Sequence, residues 1–155
     1  MAGTYSKIYF HLVFAVQDRM NIIRPEIREE LQKYIAGIVE NKKQKLISIN
    51  CMPDHTHILV GLKPDVAVST IVRDIKANSS RFINENHWVR GMFHWQEGYG
   101  VFSCCEGDLD RIIHYIQNQE AHHRQKKFQE EYIALLHEYN VEYNNEYLFD
   151  WISME

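Results

Sequence analysis

The 155-residue chain holds only three cysteines, Cys51, Cys104 and Cys105. An odd number that includes a vicinal pair is poor material for a disulfide framework, and without a C-x-x-C spacing a zinc ribbon is not supported. The three read as reduced thiols of a cytosolic protein. No run of about 18 apolar residues occurs, so no membrane span is expected. The opening MAGTYSKIYFHLVFAVQDR is partly apolar, but it alternates like a strand, lacks a small-residue cleavage site and runs into charge, which argues against a signal peptide. Gly-rich phosphate loops, a G-x-S-x-G elbow and a paired-carboxylate glycosidase site are all missing. Lys and Arg are absent from residues 128–155, which carry 7 acidic groups. All 17 basic residues lie in 1–127 against 14 acidic ones. The net charge of −4 therefore combines a mildly basic body with an acidic tail. A body of that sign permits a phosphate-backbone partner without demanding one.

The length and a 45% hydrophobic, 25% charged composition fit one globular domain over residues 1–155, its acidic C-terminal segment beginning near 128. No internal repeat or low-complexity tract is present. In TYSKIYFHLVFAV, residues 4–16, Ile8, Phe10, Leu12, Phe14 and Val16 share one face, and Tyr9, His11, Val13 and Ala15 share the other. Two largely apolar faces suit a central strand covered on both sides. Pro25 opens a helix with Ile27, Leu31, Tyr34, Ile35 and Ile38 inward, and the NKKQK run at 41–45 closes it. Residues 45–52 read as a second strand, and Pro53-Asp54 as a tight turn into a third, HTHILVGL. Asp65 is placed to cap a helix over about 66–86, with Arg73 and Lys76 on its outer face. YGVFSCC is a fourth strand, and a helix from Asp108 carries LDRIIHYIQNQEAHHRQKK, followed by the amphipathic FQEEYIALLHEYN. This order predicts an α+β, ferredoxin-like split β-α-β fold. It has a four-stranded antiparallel sheet, two helices on one face, and a C-terminal tyrosine-bearing helix.

Two stretches can carry chemistry. In DHTHILVGL, residues i and i+2 of a strand project together, so His55 and His57 point to one side and Thr56 and Ile58 to the other. Two neutral imidazoles so placed can hold one divalent cation, although a strand that merely begins with histidines has the same pattern. In HYIQNQEAHH, Leu109, Ile112, Ile113 and Ile116 form the buried stripe of a helix. Tyr115 and Gln119 sit one turn apart on its flank, able to meet the edge of a sheet. A boundary tyrosine with a solvated glutamine is the plainer alternative. His122 and His123 read as solvent-facing or helix-terminal cations, with His122 on the Tyr115 flank. Trp88 and Trp95 are either core aromatics or platforms for unpaired bases.

DHTHILVGLKP, WQEGYGVFS, YIQNQEAHH and, in the tail, FQEEYIALL and EYLFDW resemble, in this order and over essentially the whole chain, the single-tyrosine HUH transposases of the insertion-sequence 200/605 group. Thr56 stands where that family's histidine motif has a bulky apolar residue, but it points away from the histidines and leaves their geometry intact. The resemblance implies that His55, His57 and Gln119 ligate Mg²⁺ or Mn²⁺ and that Tyr115 is the nucleophile. Attack on single-stranded DNA would form a 5′-phosphotyrosine and free a 3′-OH, so rejoining needs no ATP. The metal identity rests on the resemblance, because two imidazoles suit Zn²⁺ or Mn²⁺ at least as well. The family also implies a homodimer paired through strand edges, imperfect DNA hairpins as partners, a cytoplasmic bacterial or archaeal setting and a mobile tyrosine helix. Gly98, Gly100 and Gly107 are the hinge positions that such mobility would use, or ordinary turns. Arg73, Lys76, Lys42 and Lys43 are candidate phosphate contacts, or a solvated face. A domesticated endonuclease acting on repeated hairpins and a catalytically silent nucleic-acid-binding domain remain open beside the transposase.

Overall fold

A computed structural model describes residues 3–19, 21–123 and 127–144. The EYLFDW segment and the junction at 124–126 lie outside them. Four strands, β1 (Tyr9–Ala15), β2 (Lys45–Cys51), β3 (His55–Gly61) and β4 (Gly100–Cys104), form one sheet in the order β2-β3-β1-β4. Every neighbouring pair is antiparallel, as the split β-α-β order requires. β1 is shorter than the apolar alternation suggested. Beyond Ala15 only an isolated Val16–Trp95 bridge continues it.

Helices α1 (Pro25–Asn41) and α2 (Val68–Glu85) cover one face of the sheet. Leu12, Phe14, Ile58 and Val60 point at them and join Leu31, Ile35, Ile71 and Ile75 in the main core, all buried. The Tyr34 and Phe82 rings stack at 3.9 Å between the two helices. Asp65 does not cap α2. Pro64 and Asp65 lie in a turn closed by the Val66 N–H on the Lys63 carbonyl, so the N-cap position falls to Ala67, which offers no side-chain acceptor. Trp95 is a core residue, edge-on to Phe14 and Phe93 at 4.8 and 4.9 Å, and Trp88 packs on Phe82.

The opposite face carries the C-terminal helices. The tyrosine-bearing segment is not one continuous helix. α3 (Leu109–Gln117) stops at Asn118 and α4 (Gln119–His123) follows. The side-chain amide of Gln119 donates to the Tyr115 carbonyl at 3.2 Å, the acceptor that the Gln119 backbone N–H would use in an unbroken helix. α3 lays Ile112 and Ile116 against Leu59, while α5 (Phe128–Glu138) packs Phe128, Tyr132, Leu135 and Leu136 on Val13, Ala15 and Phe102. Gly100 is what lets α5 approach, since a Cβ there would lie 2.9 Å from the Tyr132 ring. β1 thus contributes one face to each core, as its two apolar faces predicted.

Candidate metal and nucleophile site

The antiparallel register sets His55 opposite Ala15 and His57 opposite Val13, on the sheet face that α3 and α5 cover. Both imidazoles are buried. Each is held from behind through Nδ1. Asp54 accepts from His55 Nδ1 at 2.6 Å, and His57 Nδ1 meets His11 Nε2 at 2.9 Å. Fixing one ring nitrogen and presenting the other is the arrangement that orients a ligating histidine. The Pro53-Asp54 turn therefore does more than start the strand, because its carboxylate sets the His55 ring.

Both Nε2 atoms face Glu131, a fully buried carboxylate on α5. Its Oε1 lies 3.0 Å from His57 Nε2, 3.6 Å from His55 Nε2 and 3.2 Å from His123 Nε2. The four side chains offer one ligand atom each, all within 4.8 Å of one another. Two ligands on a cation at about 2.1 Å are spaced by roughly 3 to 3.5 Å, so the observed separations fit a single ion after a small contraction. Gln119 is also buried here, its Oε1 2.8 Å from His123 Nε2 and 3.4 Å from His55 Nε2. Phe128 stacks on the His55 ring at 3.9 Å and closes that side.

The hydroxyl of Tyr115 donates to the second oxygen of Glu131, and its ring stands edge-on to His57 at 5.7 Å. Burial by itself would raise the Glu131 carboxyl, yet the hydrogen bonds from His123, His57 and Tyr115 hold it well below the usual carboxylate range. Burial, then the charge and hydrogen bond of Glu131, drive the Tyr115 hydroxyl well above its ordinary value. His57 is lowered by burial against the opposing pull of Glu131, and His11 falls to about 3 by burial and by the neighbouring His57. A neutral His57 has one ring proton. Because a carboxylate only accepts, Nε2–H donates to Glu131 and Nδ1 accepts from His11. Without a cation, Tyr115 is thus a protonated hydroxyl tied to an anion.

His55, His57, Tyr115 and Gln119 meet at one place. The basic candidates do not. Lys42 pairs with Asp74, and Arg73, largely exposed, lies 3.5 Å from the same residue on α2, across the sheet from the site. Lys43 is exposed at the α1–β2 turn. Lys76 is not on an outer face. Its half-buried ammonium donates to the carbonyls of Gln96 and Gly98. Of the hinge glycines only Gly98 has a left-handed backbone, φ +78°, while Gly100 is a packing requirement. The cysteines are free thiols.

Sequence reasoning missed Glu131, His123, Asp54 and His11. The signal for Glu131 was legible, since Phe128, Glu131, Tyr132, Leu135 and Leu136 occupy the i, i+3, i+4, i+7, i+8 stripe and a charge there demands partners. His11 likewise sits on the apolar face of β1. His123 also carried a signal, since it lies four residues after Gln119 and one turn along the same helix face, where its Nε2 meets Gln119 Oε1 at 2.8 Å.

The architecture is that of transposases. A Deinococcus radiodurans crystal structure described as a transposase superposes with a TM-score of 0.61 at 26% identity, covering 77% of this chain and 95% of that one. A REP-associated tyrosine transposase solved on a REP hairpin shares the fold, with a TM-score of 0.62 at 16% identity over 82% of this chain and 75% of that one. Among known sequences, the ISDra2 transposase TnpA of Deinococcus radiodurans is 24% identical over 124 residues, 76% of this chain and 87% of the relative. The transposase of insertion sequence element IS200 from Salmonella typhimurium is 26% identical over 124 residues, 77% and 81% of the two. Residues 4–119 match the family described as "Transposase IS200 like", and the chain belongs to that family. Membership makes it an enzyme that cleaves and rejoins DNA. No helix among the described residues is long and apolar enough to cross a membrane.

Proposed function

We propose that the chain cleaves and rejoins single-stranded DNA beside hairpins at element ends, with Tyr115 as nucleophile and Mg²⁺ or Mn²⁺ held by His55, His57 and Gln119. One observation carries this reading. Two buried imidazoles fixed from behind, a buried amide oxygen and the tyrosine hydroxyl converge on one carboxylate-lined centre. When bound, the cation polarises a non-bridging phosphate oxygen and offsets developing charge. The Tyr115 oxygen forms a bond to phosphorus as the bond to the 3′ oxygen breaks. Glu131 Oε2 accepts the hydroxyl hydrogen bond and orients the Tyr115 oxygen. The hydroxyl proton leaves to solvent as the bond to phosphorus forms, and the departing 3′ oxygen takes a proton from solvent to become a 3′-OH. A second strand end attacking the phosphotyrosine reverses these steps, so bond energy is kept and strands are transferred rather than hydrolysed.

The hairpin partner is supported by the REP hairpin in the solved neighbour, and the homodimer by the two strand edges, β2 and β4, that end the sheet. Light scattering at twice the protomer mass supports the dimer, and the protomer mass alone contradicts it. Of the four basic candidates named from the sequence, Arg73 and Lys43 are the exposed ones left for phosphate contacts. The rim of the recess beside Phe128 carries Tyr99 and Tyr143, both exposed, as stacking positions in place of Trp88 and Trp95. Tyr115→Phe tests the proposal against a silent DNA-binding domain. A metal-dependent covalent adduct with a hairpin oligonucleotide is expected from the parent and none from the variant, with binding retained in both. An adduct of equal yield in the variant overturns it.

A further inference from the structure

The reading above gives the cation three protein ligands, two from β3 and one from α4. We infer that His123 and Glu131 are ligands of the same cation, so that the centre draws three imidazoles, one carboxylate and one amide oxygen from the sheet, α4 and α5. This rests on the metal-dependent reading and extends it to residues outside the His-x-His strand.

His123 Nε2 and Glu131 Oε1 lie 3.2 Å apart, and each faces the atoms of His55, His57 or Gln119 that would bind the ion. Glu131 is a buried carboxylate whose ion-pair partners among the described residues are all histidines. Its contacts come from His55, His57, His122, His123 and the Tyr115 hydroxyl. A buried carboxylate gathered with three histidine nitrogens within 4.8 Å offers a divalent cation both charge and donors. Oε1 is turned to His55, His57 and His123, and Oε2 to Tyr115 and His122, so one side chain ties the ion to the nucleophile.

Two consequences separate this donor set from the smaller one. Five protein donors leave a six-coordinate ion one position for a phosphate oxygen, where three donors leave three. Three imidazoles and a carboxylate also favour a borderline transition cation over Mg²⁺, which prefers oxygen ligands and keeps several waters. The C-terminal segment from α4 to α5 is then bound to the sheet through the ion as well as through its apolar stripe.

The test is direct Mn²⁺ binding to the full chain stripped with chelator, read by electron paramagnetic resonance and by pulsed measurement of nitrogen couplings. The parent should show three imidazole nitrogens on Mn²⁺, and His123→Ala should show two. Glu131→Gln, which keeps the shape and removes the charge, should weaken Mn²⁺ binding by about tenfold or more, with circular dichroism checking the fold. The nitrogen count on the parent protein stands even where a variant fails to fold. Two nitrogens on the parent, with unchanged affinity in Glu131→Gln, overturn this inference and leave the His55, His57 and Gln119 centre standing. Unchanged Mn²⁺ binding in His57→Ala, or none in the parent, overturns both.

Discussion

The hydroxyl of Tyr115 and the carboxylate of Glu131 are hydrogen-bonded across a sheet face from two different helices, α3 and α5. The bond links the proposed nucleophile to the carboxylate that four histidines already face. It also makes the C-terminal helix part of the site rather than an appendage. Removing Glu131 should therefore affect the nucleophile as well as the fold. Glu131→Ala strips the hydrogen-bond acceptor from His57, His123 and Tyr115 together, and a loss of about 2 to 4 kcal/mol in unfolding free energy is expected. Urea unfolding of the metal-free proteins measures it, and unchanged stability would show that Glu131 is not buried among these partners.

His57→Ala should abolish metal-dependent cleavage of a hairpin oligonucleotide, since it removes a donor whose ring is fixed by His11 and aimed at the centre. Cleavage rates compared with and without Mg²⁺ or Mn²⁺ check this. Parent-level cleavage by the variant would remove His57 from the metal site.

The metal-free protein should lose stability as pH falls from 7 to 5. His11 and His57 are held neutral in the folded state, with pKa values below the unfolded value of about 6.5. Below that pH the unfolded chain binds protons that the folded chain does not, so unfolding gains. His11, held near 3, costs roughly 2 kcal/mol by pH 5, and His57 acts in the same direction. Glu131, with its folded pKa depressed, acts in the same sense. Its stabilisation is present above about pH 4.3 and is lost as pH falls further. Melting in the presence of chelator at pH 7 and pH 5 reads the first step, and equal Tm values would contradict it.

Gly100→Ala should destabilise the packing of α5 on β4, because its Cβ meets the Tyr132 ring at 2.9 Å. A cost of about 1 to 3 kcal/mol is expected. Combining it with Tyr132→Ala should recover part of that loss in a double-mutant cycle. Strict additivity would show that the two residues do not touch.

The alternation in residues 9–16, Pro25, the Pro53-Asp54 turn and the spacing of Ile71, Val72 and Ile75 made the sheet and α1 and α2 legible, because local periodicity decides which face is buried. Tyr115 and Gln119 were readable as neighbours because four residues apart means one turn, and the contact survives the break at Asn118. His123 was readable by the same rule, four residues beyond Gln119, but taking it as a helix-terminal cation hid its contact with the centre. Lys76 looked like a surface cation because helical spacing cannot see that the loop carbonyls of Gln96 and Gly98 fold over it. Glu131 had a signature, a charge on an apolar stripe, but its partners are on β3 and α4, distant in sequence.

The central claim is that Tyr115 carries the 5′ end of cleaved DNA. A hairpin oligonucleotide labelled at either its 5′ or its 3′ end, incubated with the parent protein and Mn²⁺ and run on a denaturing gel, tests it most directly when the adduct is digested and sequenced by mass spectrometry. The 3′ label should stay with the protein, the 5′ label should be released with a free 3′-OH, and the modified peptide should contain Tyr115. Retention of the 5′ label instead, attachment at another residue, or cleavage with no adduct at all would contradict it.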